Sequence, residues 1–238
     1  MNIILFTKDE DFSLLPMEDR RTRHILRILK LKKNDSFKMG IINGSAGRGE
    51  IVGVSRDGLK IRFLPGPPPI KQYSLNLIIG LIRPIAARRI LKDMTSMGIK
   101  RMDFVSTDTG EKSYMQSKLW TNGEYANFLI SGAEQASSTL IPEVKLHYSL
   151  ASCLKTMDIN KDLIVLDNRL NSPPLIQYKL SHENSVLGIG PERGWSLREK
   201  KMFSEFGFTF ANLGKRILRT ETACSAGSAI LISKMNFT

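Results

Sequence analysis

The sequence predicts an α/β chain of two parts. A small β-rich domain covers residues 1–70, and a larger domain on a mainly parallel sheet covers 71–238. Three observations predict it. Pro65-Gly66-Pro67-Pro68-Pro69 removes successive backbone donors and holds an extended path, so no helix or central strand crosses it. Ahead of this linker, short apolar runs alternate with glycine turns, as in a small β-barrel or an open sheet. Behind it, buried strand-like runs alternate with longer helical stretches, as in a parallel sheet covered on both faces.

In the first part, residues 36–42, 50–55 and 59–64 read as strands, with Asn43-Gly44 and Asp57-Gly58 as turns. One helix is expected near residues 18–29. In the second part, strands are expected at 75–81, 102–106, 163–166, 186–189 and 208–212. Helices are expected at 86–97, 124–136, 197–206 and 221–234.

The 238 residues are 42% hydrophobic, enough for a folded core. The formal net charge of +12 favours a polyanionic partner, nucleic acid first and an anionic membrane surface second. The apolar run at 75–82 is broken by Asn76 and is too short to span a bilayer. The N-terminus lacks the pattern of a secretory signal, and the two distant cysteines, Cys153 and Cys224, suit a reducing cytoplasm. His24, His147 and His182 are scattered without zinc-ligand spacing, so no metal is expected.

The stretch 20–33 reads RRTRHILRILKLKK and contains no acid. Ile25, Leu26, Ile28 and Leu29 supply an apolar face at helical spacing. Arg20, Arg21, Arg23, Arg27 and Lys32, with His24, then face outward as candidate RNA contacts. Guanidinium groups suit phosphate oxygens, and such contacts position an RNA without reading its sequence.

Two further segments carry the chemistry. Val186–Glu199 runs from a buried strand into a loop with Gly188, Gly190, Pro191 and Gly194, then into a helix that opens with Ser196 and Glu199 in capping-box spacing. It is not a dinucleotide fingerprint, because Arg193 stands where the third glycine belongs. Asn212–Ala223 likewise follows a strand and opens a helix. It is not a phosphate loop, because Thr209 and Arg216 occupy its key positions. Two glycine turns at the ends of two strands can form one cleft.

These segments carry a resemblance. GPERGWS at 190–196 resembles the GPEGG(F/W)S motif of the SPOUT methyltransferases, and LGKRILRTETA at 213–223 resembles their LGxRILRTETA motif. Together they identify the chain as similar to the ribosomal RNA small-subunit methyltransferase E family, which methylates N3 of a uridine in small-subunit (16S) rRNA. His24–Asp35 resembles the basic segment of that family's PUA-like domain, and Ala133–Pro142 its AxEQxxRxxxP segment. The resemblance covers most of the chain.

It implies a PUA-like RNA-binding domain, a trefoil-knotted SPOUT domain, a homodimer, a ribosomal RNA or small-subunit partner, and S-adenosylmethionine as cofactor. Leu166, Gly188, Gly190, Pro191, Gly194, Leu213, Gly214, Arg216, Ile217 and Leu218 would hold that cofactor. Arg219 would stabilise the developing uridine anion, with Glu221 or Glu192 as proton acceptor. The chain departs from the family at Arg193, at Asp93 and Ser96, at Leu119 and at Ser138. A methyltransferase with another RNA target and a non-catalytic ribosome- or RNA-binding protein are therefore the alternatives.

Overall fold

The computed structural model describes residues 2–157, 160–168 and 171–235. Its contacts divide the chain into two units: residues 1–71 with 130–141, and residues 72–129 with 142–238.

The first unit holds an open five-stranded sheet in the order β1-β3-β4-β5-β2. The strands are β1 (Ile4–Phe6), β2 (Leu15–Pro16), β3 (Ser36–Ile41), β4 (Ala46–Val54) and β5 (Gly58–Pro65). Only the β1–β3 pair is parallel. Ile4, Phe6, Ile25, Phe37, Met39, Ile51 and Ile61 form its core. β4 begins four residues before the expected strand. Gly47 and Gly49 are strand residues in tight surroundings: a Cβ on Gly47 would run into Leu64 O, and one on Gly49 would lie 2.7 Å from Phe37 Cζ. Absent side chains there make room for neighbouring backbone and a ring rather than for turns.

The expected helix at 18–29 is shorter and irregular. Asp19 caps α1 (Arg20–Arg23) by accepting the Arg21 N–H at 2.7 Å, and a π-helical turn follows over His24–Ile28. Lys30 then adopts a left-handed φ of 55°. Ile25 is buried, whereas Ile28 is 68% exposed and leaves the apolar face expected of it. The wider π turn moves it off the 3.6-residue period.

Residues 130–141 pack on this unit because of particular contacts. Ala133 is buried with Ile3 and Leu5. The Asn43 N–H donates to Thr139 O at 2.8 Å, and Thr139 Oγ1 donates to Gly44 O at 2.6 Å.

The second unit holds six parallel strands in the order β11-β9-β10-β6-β7-β8. They are β6 (Tyr73–Gly80), β7 (Ile99–Val105), β8 (Glu143–His147), β9 (Asp162–Leu166), β10 (Ser185–Ile189) and β11 (Thr209–Ala211). Every residue of central β10 is buried, as a strand covered on both faces requires. Edge strand β8, EVKLH, alternates exposed and partly buried residues, and its polar composition hides it from a search for apolar runs.

The principal helices are α2 (Pro84–Ser96), α3 (Lys118–Thr121), α4 (Tyr125–Gln135), α5 (Leu150–Leu154), α6 (Leu197–Glu205) and α7 (Thr220–Ile232). From Ile130 onward α4 belongs to the first unit. Pro84 supplies a fixed φ at the first position of α2. α7 packs against α2, β6 and β10, and a Cβ on Gly227 would lie 2.8 Å from Leu187 Cδ2. No helix among the described residues is long and apolar enough to cross a membrane.

Candidate active site

The C-terminal ends of β9, β10 and β11 open into one cleft of about 160 Å³. Its walls are the loop after β10, the loop between β11 and α7, and the end of β9. In an open parallel sheet this carboxyl edge is where loops, rather than strands, supply ligand contacts.

Of the residues expected at the cofactor, Leu166, Gly190, Pro191, Gly194, Leu213, Gly214, Arg216, Ile217 and Leu218 all line this cleft. Gly188 does not. It lies in β10, where a Cβ would be 3.0 Å from Val165 Cγ2, so its missing side chain serves strand packing. Sequence reasoning missed Asp167, Trp195, Asn212 and Thr220, which also line the cleft. Strand ends continuing into polar residues were the available signal for Asp167 and Asn212.

The loops are held by specific bonds. Gly194 has φ 72° and Gly214 φ 103°, conformations a side chain would strain. A Cβ on Gly190 would lie 3.1 Å from Gly194 Cα, so the turn closes on itself. Thr220 Oγ1 donates to Gly190 O at 3.0 Å, tying the two motif loops together. Ser196 and Glu199 complete the expected capping box: Ser196 Oγ accepts from Glu199 N–H at 3.1 Å, and Glu199 Oε2 from Ser196 N–H at 2.8 Å. Glu199 is buried, and its Oε1 accepts the Asp108 N–H at 2.9 Å. Thr109 Oγ1 donates to Gly194 O at 2.8 Å. Arg198 hydrogen-bonds Asp108 and holds that carboxyl below the usual range, with Ser196 assisting. On the cleft wall, buried Asp167 pairs with Lys200 at 2.6 Å.

Trp195 is 3% exposed, lines the cleft, and has no hydrogen-bond partner for its buried Nε1. Ile217 is 81% exposed, an apolar side chain on a cleft wall without cover.

Of the three expected catalytic residues, only Glu192 lines the cleft. Arg219 is exposed at the N-terminus of α7, between Leu218 and Thr220. Glu221, in the first turn of α7, lies 3.9 Å from Arg89 of α2.

In the first unit, Arg20, Arg23, His24, Arg27 and Lys32 are exposed. Arg21 is not: its side chain is 15% exposed. It binds Asp19 at 2.7 Å, Glu10, and Leu5 O at 3.3 Å, and stacks 4.4 Å over the Phe6 ring. The outward role expected of Arg21 is corrected, because its donors are consumed inside the fold.

The structure also gathers buried Asp103, His147 and Cys153 within 4.8 Å, a grouping the spacing did not reveal. Arg101 donates to both Asp103 oxygens at 2.7 Å, and His147 Nε2 lies 2.6 Å from Oδ1. Arg101 supplies the cation that a buried carboxylate needs. Burial and the Asp103 charge push the Cys153 thiol up, which keeps it protonated.

The chain is similar to known proteins. Residues 69–232 match the family described as RNA methyltransferase domain. The chain is 34% identical over 236 residues to ribosomal RNA small subunit methyltransferase E 1 of Borreliella burgdorferi, covering 99% of each. It is 35% identical over 246 residues to ribosomal RNA small subunit methyltransferase E of Treponema pallidum, covering 98% of this chain and 91% of that one. Its fold matches the crystal structure of a ribosomal RNA small subunit methyltransferase E from Neisseria gonorrhoeae bound to S-adenosyl methionine. The TM-score is 0.80 at 20% identity, over 98% of this chain and 97% of that chain.

Proposed function

The chain belongs to the ribosomal RNA small subunit methyltransferase E family, and we propose that it transfers a methyl group from S-adenosylmethionine to N3 of a uridine in 16S rRNA. The observation that carries this reading is the single cleft lined by both motif loops.

The cleft suits the cofactor. Gly190, Gly194 and Gly214 let backbone groups approach a ligand closely. Ile217 and Leu218 offer apolar surface to an adenine ring, and Trp195 Nε1 is a buried donor without a partner. When bound, S-adenosylmethionine supplies an electrophilic methyl carbon whose C–S bonding pair leaves with sulfur. The chain's task is then to place uridine N3 in line and ease loss of its proton. Arg219 acts as an electrostatic partner of the uridine anion, since a guanidinium stays protonated. Glu192, on the cleft wall, is better placed as proton acceptor than Glu221, which faces Arg89.

Within this reading the first domain, residues 1–70, is the PUA-like RNA-binding part, and Arg20, Arg23, His24, Arg27 and Lys32 contact RNA phosphates. Residues 71–238 form the methyltransferase part. Dimerisation, the trefoil knot and cytoplasmic residence come with the family and belong to the same reading.

The experiment supplies labelled S-adenosylmethionine with unmodified small-subunit rRNA, free and as assembled particles, and identifies the nucleosides by mass spectrometry. N3-methyluridine is the expected product. A different methylated nucleoside would replace the target, and no transfer with intact cofactor binding would reject this substrate.

A further inference from the structure

We propose that Arg83 is a second catalytic residue: its guanidinium binds one of the two uracil carbonyls that flank N3 of the acceptor uridine as N3 loses its proton, and Tyr114 holds it there. The proposal rests on the methyltransferase reading above and adds a residue that neither motif contains.

The sheet order carries the first step. The cleft covers the ends of β9, β10 and β11, and the next strand beyond β10 is β6, then β7. The end of β6 abuts the cofactor loop directly: a Cβ on Gly80 would lie 2.6 Å from Pro191 N. Three residues later comes Arg83, exposed, with extended backbone (φ −52°, ψ 137°) just before Pro84 opens α2. A rigid strand and a proline-started helix therefore fix where Arg83 leaves the chain.

The second step concerns its partner. Arg83 Nε donates to Tyr114 Oη at 3.3 Å, a phenol rather than a carboxylate. The segment leading to Tyr114 is pinned to the cofactor loop by Thr109–Gly194, Asp108–Glu199 and Ser196–Asp108 bonds of 2.8, 2.9 and 2.6 Å. The Tyr114 hydrogen bond, and after it the charge of Glu192 on the cleft wall, favours the protonated guanidinium of Arg83. A cation thus stands beside the cleft, steadied by elements that also hold the cofactor loop.

The chemistry follows. Uridine N3 is flanked by two carbonyls, and loss of its proton spreads negative charge onto both oxygens. That proton passes to the acceptor, assigned above to Glu192. The N3 lone pair forms the N–C bond to the methyl carbon, and the C–S bond breaks with its pair going to sulfur. Parallel guanidinium donors match charge that develops on a carbonyl oxygen, and arginine cannot return the proton. Removing one such donor costs on the order of 10²–10³ in rate.

The test compares wild type, Arg83→Ala, Arg83→Lys and Tyr114→Phe in single turnover. Each acts on rRNA containing uridine or 5-fluorouridine, whose N3 is more acidic. Arg83→Ala should lose about 100-fold with uridine and clearly less with 5-fluorouridine. Its cofactor affinity, RNA affinity and melting temperature should match wild type. Arg83→Lys should recover part of the rate, and Tyr114→Phe should show a smaller loss with the same 5-fluorouridine rescue. An equal deficit on both RNAs, a loss confined to RNA affinity, or no deficit each overturns the proposal. If wild type itself makes no N3-methyluridine, the substrate reading fails instead.

Discussion

Gly80 does not itself line the cleft, and Gly80→Ala perturbs the cofactor loop through Pro191. The new Cβ would lie 2.6 Å from Pro191 N, about 0.8 Å inside the 3.4 Å of ordinary contact. The obstacle is backbone, so it cannot rotate away. Gly80 is fixed by its pairing with Val105, and Pro191 is buried and lines the cleft. The strain must therefore push Pro191 and its neighbours. Overpacking of this kind costs about 1–3 kcal/mol, and each kcal/mol lowers the melting temperature by about 2–4 °C at this chain length. Displacement of a ligand-positioning loop by most of an ångström should weaken S-adenosylmethionine binding by at least about tenfold, the equivalent of ~1.4 kcal/mol. Trp195, a buried lining residue, provides the signal: its fluorescence is titrated with cofactor, while thermal unfolding is followed by circular dichroism. Wild-type cofactor affinity in Gly80→Ala would refute the claim that the β6 end positions this loop.

Arg21→Ala should destabilise the first unit by about 2–3 kcal/mol. This is below the range for fully buried pairs because Glu10 and Asp19 keep 25% and 20% side-chain exposure. The Arg21 hydrogen bond holds both carboxyls below their ordinary values of 4.5 and 3.8. Their contribution is therefore full above about pH 4.5 and is lost as pH falls through the lowered folded values. Melting curves from pH 7 to 3 should show this loss in wild type and a flatter profile in the variant. Charge reversal of Arg20, Arg23 and Arg27 together should weaken rRNA binding and flatten its log–log salt dependence by about 0.7–0.9 per lost phosphate contact, while melting stays unchanged. Unaltered slopes would remove that RNA face. Glu199→Ala leaves the Ser196 and Asp108 amides without their shared acceptor. It should cost about 1–3 kcal/mol in chemical denaturation and weaken cofactor binding, and an unchanged denaturation midpoint would contradict a stabilising role for these two bonds.

Much of the parallel sheet was legible because central strands are continuous apolar runs. Leu75–Leu81 and Val186–Ile189 lie in β6 and β10 or within one residue of them. The two motif loops were legible because a strand running into glycines is a local pattern. Contacts distant in sequence were not legible. Arg21 reads as one of several equivalent cations, yet Glu10 and Asp19 reach it only after the chain folds around Phe6. Residues 130–141 look like the end of a helix in the larger domain, yet Ala133 and Thr139 complete the smaller unit. Gly188 and Gly190 share one segment, but Gly188 lies inside β10 against Val165, whereas Gly190 lies one residue past the strand and lines the cleft. Arg83 belongs to no motif, and sheet order alone sets the end of β6, which it follows, against the loop after β10.

The central claim is that both motif loops form one S-adenosylmethionine site. Hydrogen exchange with mass spectrometry, with and without saturating cofactor, tests it most directly. The account predicts slowed exchange in peptides covering 189–196 and 212–220, and no change in peptides covering β4 and β5 of the first unit. Protection of only one loop, or protection centred elsewhere in the chain, would contradict it.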